Sequence, residues 1–150
     1  MSEADPDELM QAAGVPPMVV TASIGVALSS VAVGLVGLQN VTLIQWVFPW
    51  LIAPWTLLVL AVGGLYIASK LYRGRAWTLP AAMAVTVLMA LGALGFLVVS
   101  ILSGVLSLLG AIAVPAAVLT VVLEGIAWPS FQKLVSLRKK MREQGYDLDF

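Results

Sequence analysis

The stretch PPMVVTASIGVALSSVAVGLVGL, residues 16–38, runs for 23 residues without a charged side chain. About 20 apolar residues in helical form cross the hydrocarbon core of a bilayer, so this segment reads as a membrane-spanning helix. Pro16 and Pro17 suit its start, where a proline's missing N–H is not needed. The residues in front of it carry Glu3, Asp5, Asp7 and Glu8 and no base. A cleavable signal peptide has a basic start and a shorter apolar run, so the segment is expected to stay attached as a first transmembrane helix.

Working outward from it, Gln39-Asn40-Val41-Thr42 reads as a short polar turn. Leu43 to Trp55 follows, holding Pro49, Pro54, Trp46, Phe48, Trp50 and Trp55. Tryptophan favours the headgroup level, so this reads as an interfacial segment feeding a second helix over about residues 50–72. Pro80 opens a third helix over 79–102, and Ser103, Gly104 and Ser107 mark an uncharged turn. A fourth helix covers 108–128, with a kink expected at Pro115 and an end or bend at Pro129, because proline frees a carbonyl and clashes with the preceding turn.

The expected fold class is therefore all-α: an integral membrane protein built as a four-transmembrane-helix bundle. It has an acidic tail over 1–15, a transmembrane domain over 16–128 with helices at 16–38, 50–72, 79–102 and 108–128, and a basic amphipathic tail over 129–150. Only 11% of the residues are charged and 61% are apolar, which leaves no room for a separate soluble catalytic domain. The chain has no Cys and no His, which removes disulfide, thiol, zinc, His-ligated haem and His-based acid/base chemistry. No catalytic residue, metal, cofactor or nucleic-acid partner is expected.

Charge sets the orientation. Lys70, Arg73 and Arg75 lie in the 70–77 connection with no acid beside them. Basic loops stay inside, so this connection reads as cytoplasmic, and four crossings then place both termini on the same side. The expected location is the cell membrane, or the inner membrane of a bacterium.

On a helical wheel the first helix divides into three faces. Val20, Ile24, Leu28, Val31, Leu35 and Leu38 form a bulky one. Ser23, Ala27, Ser30, Gly34 and Gly37 form a small-residue stripe, and Thr21, Ala22, Gly25, Ser29 and Ala32 a second. Small residues let helix backbones approach in lipid, where burial from water no longer drives association. Both stripes fit neighbours in the same chain; alternatively one of them contacts another subunit. Ala82, Thr86, Ala93 and Ser100 form a similar stripe on the third helix.

Glu124 is the one ionisable residue deep in an apolar segment. A charge at the bilayer centre costs about 2.5–3.5 kcal/mol on insertion scales. Thr120 and Ala113, Ala116 and Ala117 share its face, which aims the carboxylate into a helix contact. One reading makes it structural, reaching the headgroups or bonding Tyr66, Ser69 or Lys70; the others make it an ion-coupling carboxylate or a docking contact. Three further features carry less. Lys70 is an interfacial anchor, the Asn40-Val41-Thr42 sequon sits against a helix end, and Gly63-Gly64 lacks the lysine and turn of a phosphate loop.

In the tail, Phe131, Leu134, Val135, Arg138 and Met141 recur at helical spacing, while Lys133, Lys139, Lys140 and Arg142 add charge. Lys133, Arg138, Lys139, Lys140 and Arg142 are expected to meet an anionic inner leaflet. Tyr146, Leu148 and Phe150 alternate with acids and are candidates for docking on a partner. Two functions follow. The first is a non-catalytic membrane subunit that assembles with itself, as a homo-oligomer, or with a larger membrane complex. The second is a small oligomeric channel, holin-like permeabiliser or transporter that uses Glu124.

Overall fold

The computed structural model describes residues 14–44, 53–102 and 108–144. Four α-helices account for nearly all of them: α1 (Pro17–Ile44), α2 (Ala53–Tyr72), α3 (Thr78–Leu102) and α4 (Leu108–Glu143). No strand occurs among the described residues. All four helices are long and apolar enough to cross a membrane. Round the bundle, α1 packs on α2, α2 on α3, α3 on α4 and α4 on α1; α1 and α3 also touch across the middle.

The packing follows a 3.5-residue period. On α4 the buried positions are Gly110, Ala113, Ala117, Thr120, Glu124, Ala127, Phe131, Leu134, Arg138 and Met141, which alternate in steps of three and four. Leu79, Ala82, Thr86, Met89 and Ala93 do the same on α3. This spacing gives the shallow left-handed crossing of coiled coils and four-helix bundles. On the bulky face of α1, Ile24, Leu28, Val31, Leu35 and Leu38 are exposed and Val20 is half-buried.

Helix ends depart from the sequence reading at two places. Gln39 to Thr42 is not a turn, because α1 continues to Ile44. Nothing in that tetrapeptide breaks a helix, and the Asn40 amide donates to the carbonyl of Val36 at 2.7 Å, one turn back, while the residue is buried. Pro129 does not end or separate the fourth helix either. α4 runs through Pro115 and Pro129 as one element of 36 residues, about 54 Å at 1.5 Å per residue. Beyond Pro129, Phe131 and Leu134 are buried, and Phe131 joins a core with Val19, Ile67, Leu71 and Leu79. The continuation of α4 is thus held by tertiary packing.

Of the interfacial segment expected over Leu43–Trp55, Leu43 and Ile44 end α1 and Ala53 to Trp55 begin α2; residues 45–52, the turn at 103–107, most of the acidic tail, and Tyr146, Leu148 and Phe150 lie outside the described residues.

Candidate functional site

Two apolar clusters make up the core. One joins Val19, Ala22, Val26, Ile67, Leu71, Leu79, Ala82 and Phe131 at the end that carries the 70–77 connection. The other joins Val33, Val36, Leu57, Met89, Ala93 and Ala113. Between them on their helices stand five polar residues, Ser29 and Ser30 from α1, Thr86 from α3, Thr120 and Glu124 from α4, all buried.

Glu124 is fully buried. Its Oε1 accepts a hydrogen bond from the Thr86 hydroxyl at 3.0 Å, and its Oε2 is buried without a partner among the described residues. Tyr66, Ser69 and Lys70, considered as partners from depth alone, are not used. They lie on α2, whose backbone does not come close to that of α4 among the described residues. Thr86 sits eight residues into α3 from Thr78, about 12 Å along the axis, so the carboxyl is well inside the bundle rather than at its rim.

One turn away, the Ser29 and Thr120 hydroxyls are 2.7 Å apart. Both also reach the carbonyl of Ala116, at 3.1 Å and 2.9 Å. Each hydroxyl has one proton. Two arrangements use both protons: Ser29 donates to Thr120 Oγ1 and Thr120 to the Ala116 carbonyl, or Thr120 donates to Ser29 Oγ and Ser29 to that carbonyl. Gly25 makes this approach possible, since a Cβ there would stand 3.2 Å from Thr120 Oγ1.

The two small-residue stripes of α1 both meet neighbours in the same chain, with Thr21 alone left exposed and its hydroxyl on the Pro17 carbonyl at 3.0 Å. Thr21, Ala22, Gly25, Ser29 and Ala32 form the edge that meets α4 through Gly25 and Ser29. The other stripe meets α2. Ser23 donates to the Ala68 carbonyl at 3.0 Å, a Gly34 Cβ would stand 3.2 Å from Ala61 Cβ, and a Gly37 Cβ 3.2 Å from Leu57 Cβ. Ala27 is half-buried against the first cluster. Gly64 entered the sequence reading only as a rejected phosphate loop, and its packing role was not seen there. Ser30 Oγ occupies the place a Gly64 Cβ would take, and the hydroxyl donates to the Val26 carbonyl at 2.6 Å. A Gly within an apolar helix opposite a Ser-rich stripe is the signal that marks it, and of the Gly63-Gly64 pair only Gly64 faces that stripe.

At the basic end, α2 stops in a Schellman arrangement. Gly74 has φ +70°, its N–H donates to Leu71 O at 2.8 Å, and the Arg75 N–H donates to Lys70 O at 3.5 Å. Arg138 arrives from α4 and donates through Nη1 to Gly74 O at 2.9 Å and Arg73 O at 3.4 Å. Arg138 is therefore buried and does not join the exposed basic face expected for it. Its place on the inward stripe of α4, seven residues after Phe131, turns it to the connection. Lys133, Lys139, Lys140 and Arg142 are exposed.

Comparison of the chain with protein-family models, with curated proteins and with solved structures finds no match.

Proposed function

We propose that this chain is a non-catalytic membrane subunit, a bundle that completes its own core and presents the outward face of α4 to a neighbouring subunit, in a larger complex or in a second copy. One observation carries the reading. Opposite the buried stripe of α4, Ala111, Pro115, Val118, Val122, Gly125 and Pro129 are all exposed and follow the same alternation of three and four. A Cβ at Gly125 would meet nothing. Pro115 cannot donate to the Ala111 carbonyl, nor Pro129 to that of Gly125. In hydrocarbon such carbonyls need donors from a neighbour, and a small, proline-punctuated face lets a neighbouring helix come close enough to supply them.

The bases of the 70–77 connection and of the last turns of α4 then lie on the cytoplasmic side, against an anionic leaflet. Cysteines placed singly in this Cys-free chain test that orientation in intact cells. An impermeant maleimide should label Ser103→Cys and spare Ala76→Cys, and the reverse pattern overturns it.

Assembly is tested by Gly125→Leu. The parent, purified in mild detergent, should run larger than one chain. The variant should run as one chain and melt like the parent, because Gly125 contacts nothing in its own bundle. A parent that is already a single chain without co-purifying subunits defeats the proposal.

The unpartnered Glu124 oxygen favours one alternative, a channel or transporter in which that carboxyl couples to a proton or cation. Proton flux into vesicles that appears in the parent and vanishes in Glu124→Gln, at unchanged size, would put that class first.

A further inference from the structure

A groove of about 520 Å³ runs between α1 and α2 at the basic end of the bundle. Its two ends differ in chemistry. Ile24, Ala27 and Leu65 line one end, and Ser69, Tyr72 and Arg73 the other. Arg73 is exposed, and its guanidinium has no hydrogen bond or ion pair among the described residues.

Position is fixed from behind. The carbonyls of Arg73 and Gly74 are held by the buried Arg138 guanidinium, and Gly74 turns the chain at φ +70°. The Cα of Arg73 is thereby pinned at the groove's mouth, while Lys70 is drawn away to stand 5.3 Å from the centre of the Tyr66 ring. Lys70, Arg73, Arg75 and Arg138 gather here, and the only described carboxylates, Glu124 and Glu143, are elsewhere: one is buried beside Thr86 and the other closes α4. Positive charge with the Tyr72 hydroxyl at one end and an apolar trough about one helical turn long at the other match a single amphiphile.

We infer that the α1–α2 groove binds one anionic phospholipid, its phosphate against Arg73 and Tyr72 and the start of its acyl chain along Ile24, Ala27 and Leu65; the Ser69 hydroxyl between them is turned to the Tyr66 carbonyl at 2.7 Å. Basic pockets between membrane helices on the cytoplasmic side hold anionic headgroups in this way. The apolar half excludes a free phosphate as the natural occupant, because a soluble anion leaves that half of the groove uncovered. The inference rests on the bilayer reading proposed above, and retention of the protein in alkali-washed membranes tests that reading separately.

The full chain in mild detergent is titrated with phosphatidylglycerol, phosphatidylcholine or glycerol phosphate, and bound lipid is counted by intact-mass measurement while melting is followed. Phosphatidylglycerol should be retained at one per chain and raise the melting temperature. Phosphatidylcholine should be retained on the order of five-fold less, the factor one basic contact near the surface supplies. Arg73→Gln, a change at an exposed side chain, should abolish that preference with the unliganded melting temperature unchanged. Ala27→Met, which fills the trough, should reduce retention of both lipids.

Equal retention of the two lipids by the parent, an unchanged preference in Arg73→Gln, or a melting shift with glycerol phosphate as large as with phosphatidylglycerol each overturns the inference. So does a parent that holds lipid only after Glu3, Asp5, Asp7 and Glu8 are neutralised, since the groove's partner would then be the chain's own acidic segment.

Discussion

Glu124 and Arg138 stand on the same stripe of α4, fourteen residues apart, both inside the protein, and their surroundings treat them in opposite ways. Arg138 meets a helix end. The last carbonyls of a helix have no partner within it and carry partial negative charge, so a guanidinium finds two acceptors at Gly74 and Arg73. Glu124 meets helix middles, where every backbone N–H is already engaged one turn back. Only side-chain donors remain, and one arrives, from Thr86. A packed helical bundle can satisfy a buried charge where a chain turns and can scarcely do so between turns.

The comparison can be broken first at its stronger side. Arg138→Met removes the guanidinium and orphans two carbonyls, and should lower stability by about 2 kcal/mol, the scale of hydrogen bonds to a charged group. Arg138→Lys should recover little of that, because a single ammonium cannot reproduce the planar fork. Thermal unfolding followed by tryptophan fluorescence in mild detergent measures both. A parent-like Arg138→Met would mean that the α2 turn holds itself.

At the weaker side, Thr86→Val takes away the one donor that Glu124 has. The loss should be on the order of 1 kcal/mol, between a typical polar contact in lipid and the penalty for an orphaned buried group. The smallest effect is expected from Glu124→Met, of similar size, which removes the unpartnered oxygen altogether. Stability should be unchanged or rise by up to about 1 kcal/mol, as when buried ionic groups give way to apolar ones. In the double variant Thr86→Val should then cost almost nothing, which a double-mutant cycle reads directly. A Glu124→Met protein that falls apart would show that the carboxyl is structural after all. One that is stable but inactive in the vesicle assay would show that it is kept for its chemistry.

The number of helices, the division of α1 into bulky and small faces and the concentration of bases at 70–77 were legible in the sequence because each depends on local features: run length, wheel position and charge. The buried small faces of α1 were legible too, but not what they touch; Ser29 and Thr120 are 91 positions apart, and no local pattern relates them. The helix continuing through Asn40 and through Pro129 was not legible. A turn-forming amide or a proline biases the backbone by a few kcal/mol at most, and packing along a stripe that continues on its far side overrides that bias. Most of all, the sequence turned Glu124 into a helix contact and Arg138 to the membrane surface, and offered no sign that both stand on one buried stripe. Only the tertiary structure set one beside a helix end rich in free carbonyls and the other among helix middles whose backbone has nothing left to give.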